Sequence, residues 1–94
     1  MHIGYARIST QEQDSQAQVS ALEKAKCELI FHEQASGGRW DRPELQRLLE
    51  QLRKGDVLVV WKLDRLSRSL KDLLMILEKV EKAGAAFLMP DRIH

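Results

Sequence analysis

The run Asp56-Val57-Leu58-Val59-Val60-Trp61 carries no polar residue after Asp56 and is β-branched at three of its four central positions. A strand with one face in water alternates apolar and polar side chains, whereas a strand covered on both faces is apolar at every step. The run therefore predicts a central strand with helices above and below it. Helical patterns flank it in the sequence. Leu45, Leu48, Leu49 and Leu52 recur at i, i+3, i+4 and i+7 before it, and Leu70, Leu73, Leu74, Leu77 and Val80 recur at helical spacing after it.

Ile3 to Ile8 reads as a first strand, followed by a polar stretch and a helix with Val19, Leu22 and Ala25 on its apolar side. Glu28 to His32 reads as a short second strand. Asp41 as N-cap, Pro43 in the first turn and Glu44 completing a capping box predict the start of the next helix, which Gly55 ends. Ser69 with Asp72 predicts a second capped start. Leu70, Leu73, Leu77 and Val80 are expected to face the sheet, and Leu74, Met75 or Ile76 to face elsewhere. Gly84 closes that helix before a last strand over Ala85 to Met89. Strands alternating with helices imply parallel crossovers. The expected fold is α/β: a mostly parallel sheet of four or five strands with helices on both faces. Residues 1–94 form one domain without repeats or linkers.

A chain of 94 residues with 44% hydrophobic content has room for one core. Its formal net charge of +1 gives no global attraction for nucleic acid, so that case has to rest on local arginines. One cysteine, Cys27, excludes an intramolecular disulfide and reads as a half-buried, inert thiol. His2, His32 and His94 have no metal-ligand spacing, and with a lone cysteine no zinc site can be argued. No Gly-rich phosphate loop with a lysine is present. No signal-peptide pattern and no apolar stretch near ~18 residues occurs, which predicts a cytoplasmic chain without membrane contact.

The chemistry concentrates where two strands end. Tyr5-Ala6-Arg7-Ile8-Ser9-Thr10 closes the first and Lys62-Leu63-Asp64-Arg65-Leu66-Ser67-Arg68 follows the central one. Should the two be parallel neighbours, Ser9 and the arginines Arg7, Arg65 and Arg68 converge at one sheet edge. Arg65 and Arg68, three apart on a helical turn, would point the same way and grip one phosphate. A plain turn and a solvated basic helix start are the competing readings of the two clusters. The loop Ala35-Ser36-Gly37-Gly38-Arg39-Trp40-Asp41-Arg42 adds two more arginines, and the Gln13 amide would lie near Ser9.

These motifs resemble those of the serine site-specific recombinases of the resolvase and invertase type, over nearly all residues from Gly4 to about Phe87. The first cluster is similar to the family's nucleophile motif, Ala35-Ser36-Gly37 with Asp41-Arg42 to its mobile loop, and the second cluster to its arginine motif. The resemblance implies a resolvase-like catalytic domain in which Ser9 attacks one DNA strand and forms a 5′-phosphoserine bond, leaving a 3′-hydroxyl that reverses the step. It further implies that Arg7, Arg42, Arg65 and Arg68 stabilise the transition state, with Asp64 orienting them and Gln13, Ser36 and Tyr5 in support. Transesterification needs no cofactor. Double-stranded DNA is the implied partner, with homodimers, and tetramers in the synaptic complex of full-length members, in prokaryotic, phage or mobile-element settings.

Family members continue into a long dimerisation helix and a helix-turn-helix domain, which the segment Met89-Pro90-Asp91-Arg92-Ile93-His94 does not supply. The chain is therefore expected to be a truncated catalytic domain that binds DNA weakly and has little activity alone. Two other readings compete: a non-catalytic module that associates with full-length recombinases, and a receiver-like or small-molecule-binding α/β domain. A receiver needs acidic residues after its first strand, where Arg7 and Ser9 stand.

Overall fold

In the computed structural model, residues 1–8, 15–34, 42–67 and 69–89 are described, with Ser15, Asp64 and Arg65 by backbone alone. Strands β1 (His2–Ile8), β2 (Leu29–Gln34), β3 (Val57–Val60) and β4 (Ala86–Leu88) form one parallel sheet in the order β2-β1-β3-β4. Helix α1 (Ser15–Lys24) joins β1 to β2, and α2 (Pro43–Gln51) joins β2 to β3. The one-turn α3 (Leu63–Leu66) and the longer α4 (Leu70–Lys82) lie between β3 and β4. The expected architecture is observed, with four strands among the described residues.

The alternation of side chains along β1 divides the core in two. Ile3 and Tyr5 point into a cluster with Leu58 and Val60 of β3, Leu45 and Leu48 of α2, Leu66 of α3, and Ile76 and Val80 of α4. Ala6 points to the other face, where Leu22 of α1 and Val59 complete a smaller cluster. A Cβ on Gly4 would lie 3.1 Å from Cys27 Sγ and 3.2 Å from Leu22 Cδ1. The missing side chain is what lets α1 sit close on β1. At the opposite edge of the sheet, Gly55 and Gly84 both adopt positive φ (94° and 78°), and the Gly55 N–H donates to the Gly84 carbonyl at 3.3 Å.

Three local expectations need correction. Helix α2 has Arg42 as its N-cap, with no side-chain cap from that residue, and Asp41 lies outside the described residues. Glu44 forms no described capping box; its carboxylate accepts from Arg47 Nη1 at 3.0 Å. Along α4, Ile76 is buried and Leu70 is exposed, the reverse of their expected places, because Leu73, Ile76, Leu77 and Val80 already complete the inward stripe. The Ser69 cap is as expected: its Oγ accepts from the Asp72 N–H at 3.3 Å.

Candidate active site at the junction of β1 and β3

The chain leaves β1 in one direction across the sheet to reach β2, and in the other to reach β3 and β4. The sheet therefore reverses its winding between β1 and β3, and α/β sheets place ligands at the carboxyl ends of the strands flanking such a point. Both motifs singled out in the sequence follow these two strands. Val60 pairs with Tyr5, and α3 packs against both β1 and β3. The backbone carrying Asp64 and Arg65 thus lies beside the strand that leads toward Ser9.

Tyr5 stands at the centre of the described part of the site. It is fully buried, and its hydroxyl donates to Glu33 Oε1 at 3.1 Å. Burial, and then the facing Glu33 carboxylate, push this hydroxyl well above its ordinary pKa, while Arg42 and Arg7 pull it down. Arg7 lies two residues beyond Tyr5 on β1, and Arg42 at the start of α2, so both charges are felt at this phenol.

Glu33, at 2% exposure, holds the site from beneath. Its Oε1 also accepts from the Leu45 N–H at 3.1 Å and its Oε2 from the Glu44 N–H at 3.4 Å. A carboxylate from β2 therefore caps the N-terminus of α2, where free donors and the helix dipole favour negative charge. Arg42 anchors the same end in a second way. Its Nη1 donates to the Leu66 carbonyl and its Nη2 to Asp72 Oδ2, so one buried guanidinium ties the start of α2 to the end of α3 and the first turn of α4. Between these two attachments the Ser67 Oγ accepts from the Ser69 N–H at 3.1 Å and donates to the Ser69 carbonyl at 3.2 Å.

Helix α3 carries Arg65 and ends at Leu66, and Ser67 is extended at φ −167° and ψ 150°; the expected pairing of Arg65 with Arg68 falls on a residue outside the described ones. Ser9, Gln13, Ser36 and Arg68 lie outside the described residues. Sequence reasoning missed Glu33, and it missed Gln18. The Gln18 side chain is fully buried; its Oε1 accepts from the Arg7 N–H at 3.0 Å and its Nε2 donates to the Arg7 carbonyl at 3.2 Å. A signal existed for both. Gln18 precedes Leu22 by four on the apolar side of α1, and Glu33 follows the core residue Phe31 by two in β2. Among the described residues no group of three or more His, Cys, Asp or Glu side chains can hold a metal ion.

A parallel sheet in the order β2-β1-β3-β4, with helices between its strands and a winding reversal between β1 and β3, defines a doubly wound α/β domain. Its fold is that of the serine recombinase catalytic domains. The structure matches the C-terminal catalytic domain of ISC1926 TnpA, an IS607-like serine recombinase, with a TM-score of 0.78 and 26% identity, over 97% of this chain and 67% of that one. The chain belongs to the family described as Resolvase, N terminal domain, whose model matches residues 2–93. It is 51% identical over 87 residues to the DNA-invertase of Escherichia phage P1, covering 93% of this chain and 47% of that protein. It is likewise 51% identical over 87 residues to the serine recombinase gin of Escherichia phage Mu, covering 93% and 45%. The chain thus spans about half the length of these curated relatives.

Proposed function

We propose that this chain is the catalytic domain of a DNA-cleaving serine recombinase and that Ser9 is its nucleophile. The observation that supports the reading is that β1 and β3, the strands the two motifs follow, are parallel neighbours flanking the winding reversal, in a chain of this family. The serine oxygen attacks the scissile phosphorus, a bond to the 5′-phosphate forms, and the 3′-oxygen departs with a proton as a free hydroxyl. Attack by that hydroxyl reverses the step. Each strand exchange conserves one phosphodiester, so no external energy source is required.

Guanidiniums suit this reaction because they remain charged and present planar paired donors to the non-bridging oxygens, where charge builds in the transition state. Arg7, Arg65, Arg68 and Arg42 take that role in the proposal, with Asp64 orienting them and Gln13, Ser36 and Tyr5 in support. The partner is double-stranded DNA, and the working form is a homodimer that pairs into a tetramer. The setting is the cytoplasm of a bacterial host; no helix among the described residues is long and apolar enough to cross a membrane.

The test is covalent capture. The chain, fused to a DNA-binding domain that supplies a target site, should form a protein–DNA adduct that disappears in Ser9→Ala. An adduct surviving Ser9→Ala removes Ser9 as the nucleophile. The unfused chain, with a net charge of +1, should bind DNA no more tightly than about 10⁻⁴ to 10⁻⁶ M at physiological salt and without sequence preference.

A further inference from the structure

Successive residues of a strand turn their peptide groups to opposite neighbours. On β1 the His2 carbonyl accepts from Glu28 on the β2 side, and the Met1 carbonyl accepts from Val57 on the β3 side. By this alternation Ile3, Tyr5 and Arg7 face β3. Pairing with β3 ends at Tyr5–Val60, because the chain turns off at Trp61 toward α3, whereas pairing with β2 continues to Ile8–Gln34. The N–H and carbonyl of Arg7 therefore face a position that β3 has vacated. The Gln18 amide occupies it, offering one acceptor and one donor as a strand residue would.

We infer that Gln18 is a positioning residue for strand cleavage: its side-chain amide replaces the missing residue of β3 and holds the end of β1, and so the Arg7-to-Ser9 segment, in line. The inference deepens the recombinase reading and rests on it. The burial of Gln18 supports a specific task. Leu22, on the same side of α1, packs with hydrocarbon alone, whereas a buried amide is costly unless both its donor and its acceptor are satisfied. Here a single backbone residue satisfies both. The device also answers a conflict at the winding reversal. There β3 parts from β1, and the part-buried peptide of Arg7 is met by a side-chain amide where a strand residue would otherwise stand.

The test reads hydrogen exchange on the intact chain beside adduct formation in the fused protein. In Gln18→Met, similar in size but unable to make either bond, the Arg7 amide should lose about ten-fold in protection while Ile3 and Tyr5 keep theirs. Gln18→Glu should protect Arg7 while its carboxyl is protonated, since that form offers the same donor and acceptor, and fail to do so once ionised. This variant also covers the case in which methionine disturbs folding. Ser9–DNA adduct formation at saturating DNA should slow about ten- to a hundred-fold in Gln18→Met with DNA affinity unchanged. Arg7 protection that is unaltered, or that falls equally with Ile3 and Tyr5, overturns the clamp, and an unslowed adduct rate overturns the positioning role. Absence of any adduct from the parent protein would count against the recombinase reading, and the exchange pattern would then decide the clamp alone.

Discussion

Glu33 accepts a hydrogen bond from the Leu45 N–H at 3.1 Å, so the end of strand β2 caps helix α2 across the segment 35–41. The same carboxylate takes the Tyr5 hydroxyl. Glu33→Ala would leave buried donors on both residues without this acceptor, at a cost of about 1–3 kcal/mol each where water cannot reach them. The expected result is a clear fall in the urea midpoint, with Glu33→Gln losing less because its carbonyl can still accept. A midpoint unchanged in Glu33→Ala would show that this cap contributes nothing.

Arg42 serves the Leu66 carbonyl and the Asp72 carboxylate, and its charge pulls the Tyr5 hydroxyl down against the larger effect of burial. Arg42→Ala should destabilise the chain by about 1–3 kcal/mol, since it removes a charged donor from a carbonyl at the end of α3. Arg42→Lys should recover only part of this, because an ammonium lacks the planar fork that reaches two acceptors. Asp72 is partly exposed and can be rehydrated, so Asp72→Asn should cost less. Adduct formation separates the two roles of Arg42. If it also meets the phosphate, Arg42→Ala must slow cleavage well beyond Asp72→Asn; equal slowing would confine Arg42 to holding the turn.

The periodic elements were legible in the sequence because each announces itself locally. Val57 to Val60 needed cover on both faces: α2 and α4 supply it at helical spacing over Leu58 and Val60, and Leu22 of α1 supplies it over Val59. That the two motifs follow neighbouring parallel strands was legible only as a condition, since it depends on strand order. Gln18 and Glu33 escaped for a physical reason: their places beside Leu22 and Phe31 signal burial, but each satisfies backbone groups of another element, and the sequence does not name that partner. The α2 cap was misplaced for the same reason, because Glu33 performs from β2 the task that Asp41 and Glu44 were expected to share. Ser69 capping Asp72, a contact three residues long, was read correctly.

Alkaline pH should weaken the fold through two groups. Burial pushes the Cys27 thiol up to about 11 and raises the Tyr5 hydroxyl as well. A group with a raised folded-state pKa contributes stability that is whole below its unfolded value and is lost as pH rises toward the folded one. For Cys27 that window runs from about 9 to about 11; for Tyr5 the loss begins near 10. Thermal melts should therefore fall progressively above about pH 9. Cys27→Ala should flatten the first part of the decline and Tyr5→Phe the later part, from a lower starting stability because the Glu33 bond is gone. A flat profile in the parent chain would contradict both shifts.

Helix α4 turns Leu70, Leu74 and Met75 outward at 70%, 57% and 53% exposure, although its inward stripe is already complete. Leu70 and Leu74 lie one turn apart on one flank, and Met75 adjoins them. Apolar area removed from water is worth about 25 cal/mol per Å², and contiguous exposed patches of this kind mark contact surfaces. The chain is therefore expected to self-associate through α4, as a two-fold dimer in which the patch meets its own copy, since that symmetry is the commonest. Sedimentation over a concentration series should show a shift toward dimer in the micromolar to millimolar range. Met75→Lys should abolish the shift without lowering thermal stability, because Met75 lies outside both core clusters. A chain that remains monomeric throughout, with or without Met75→Lys, would show that this face does not join copies of the domain.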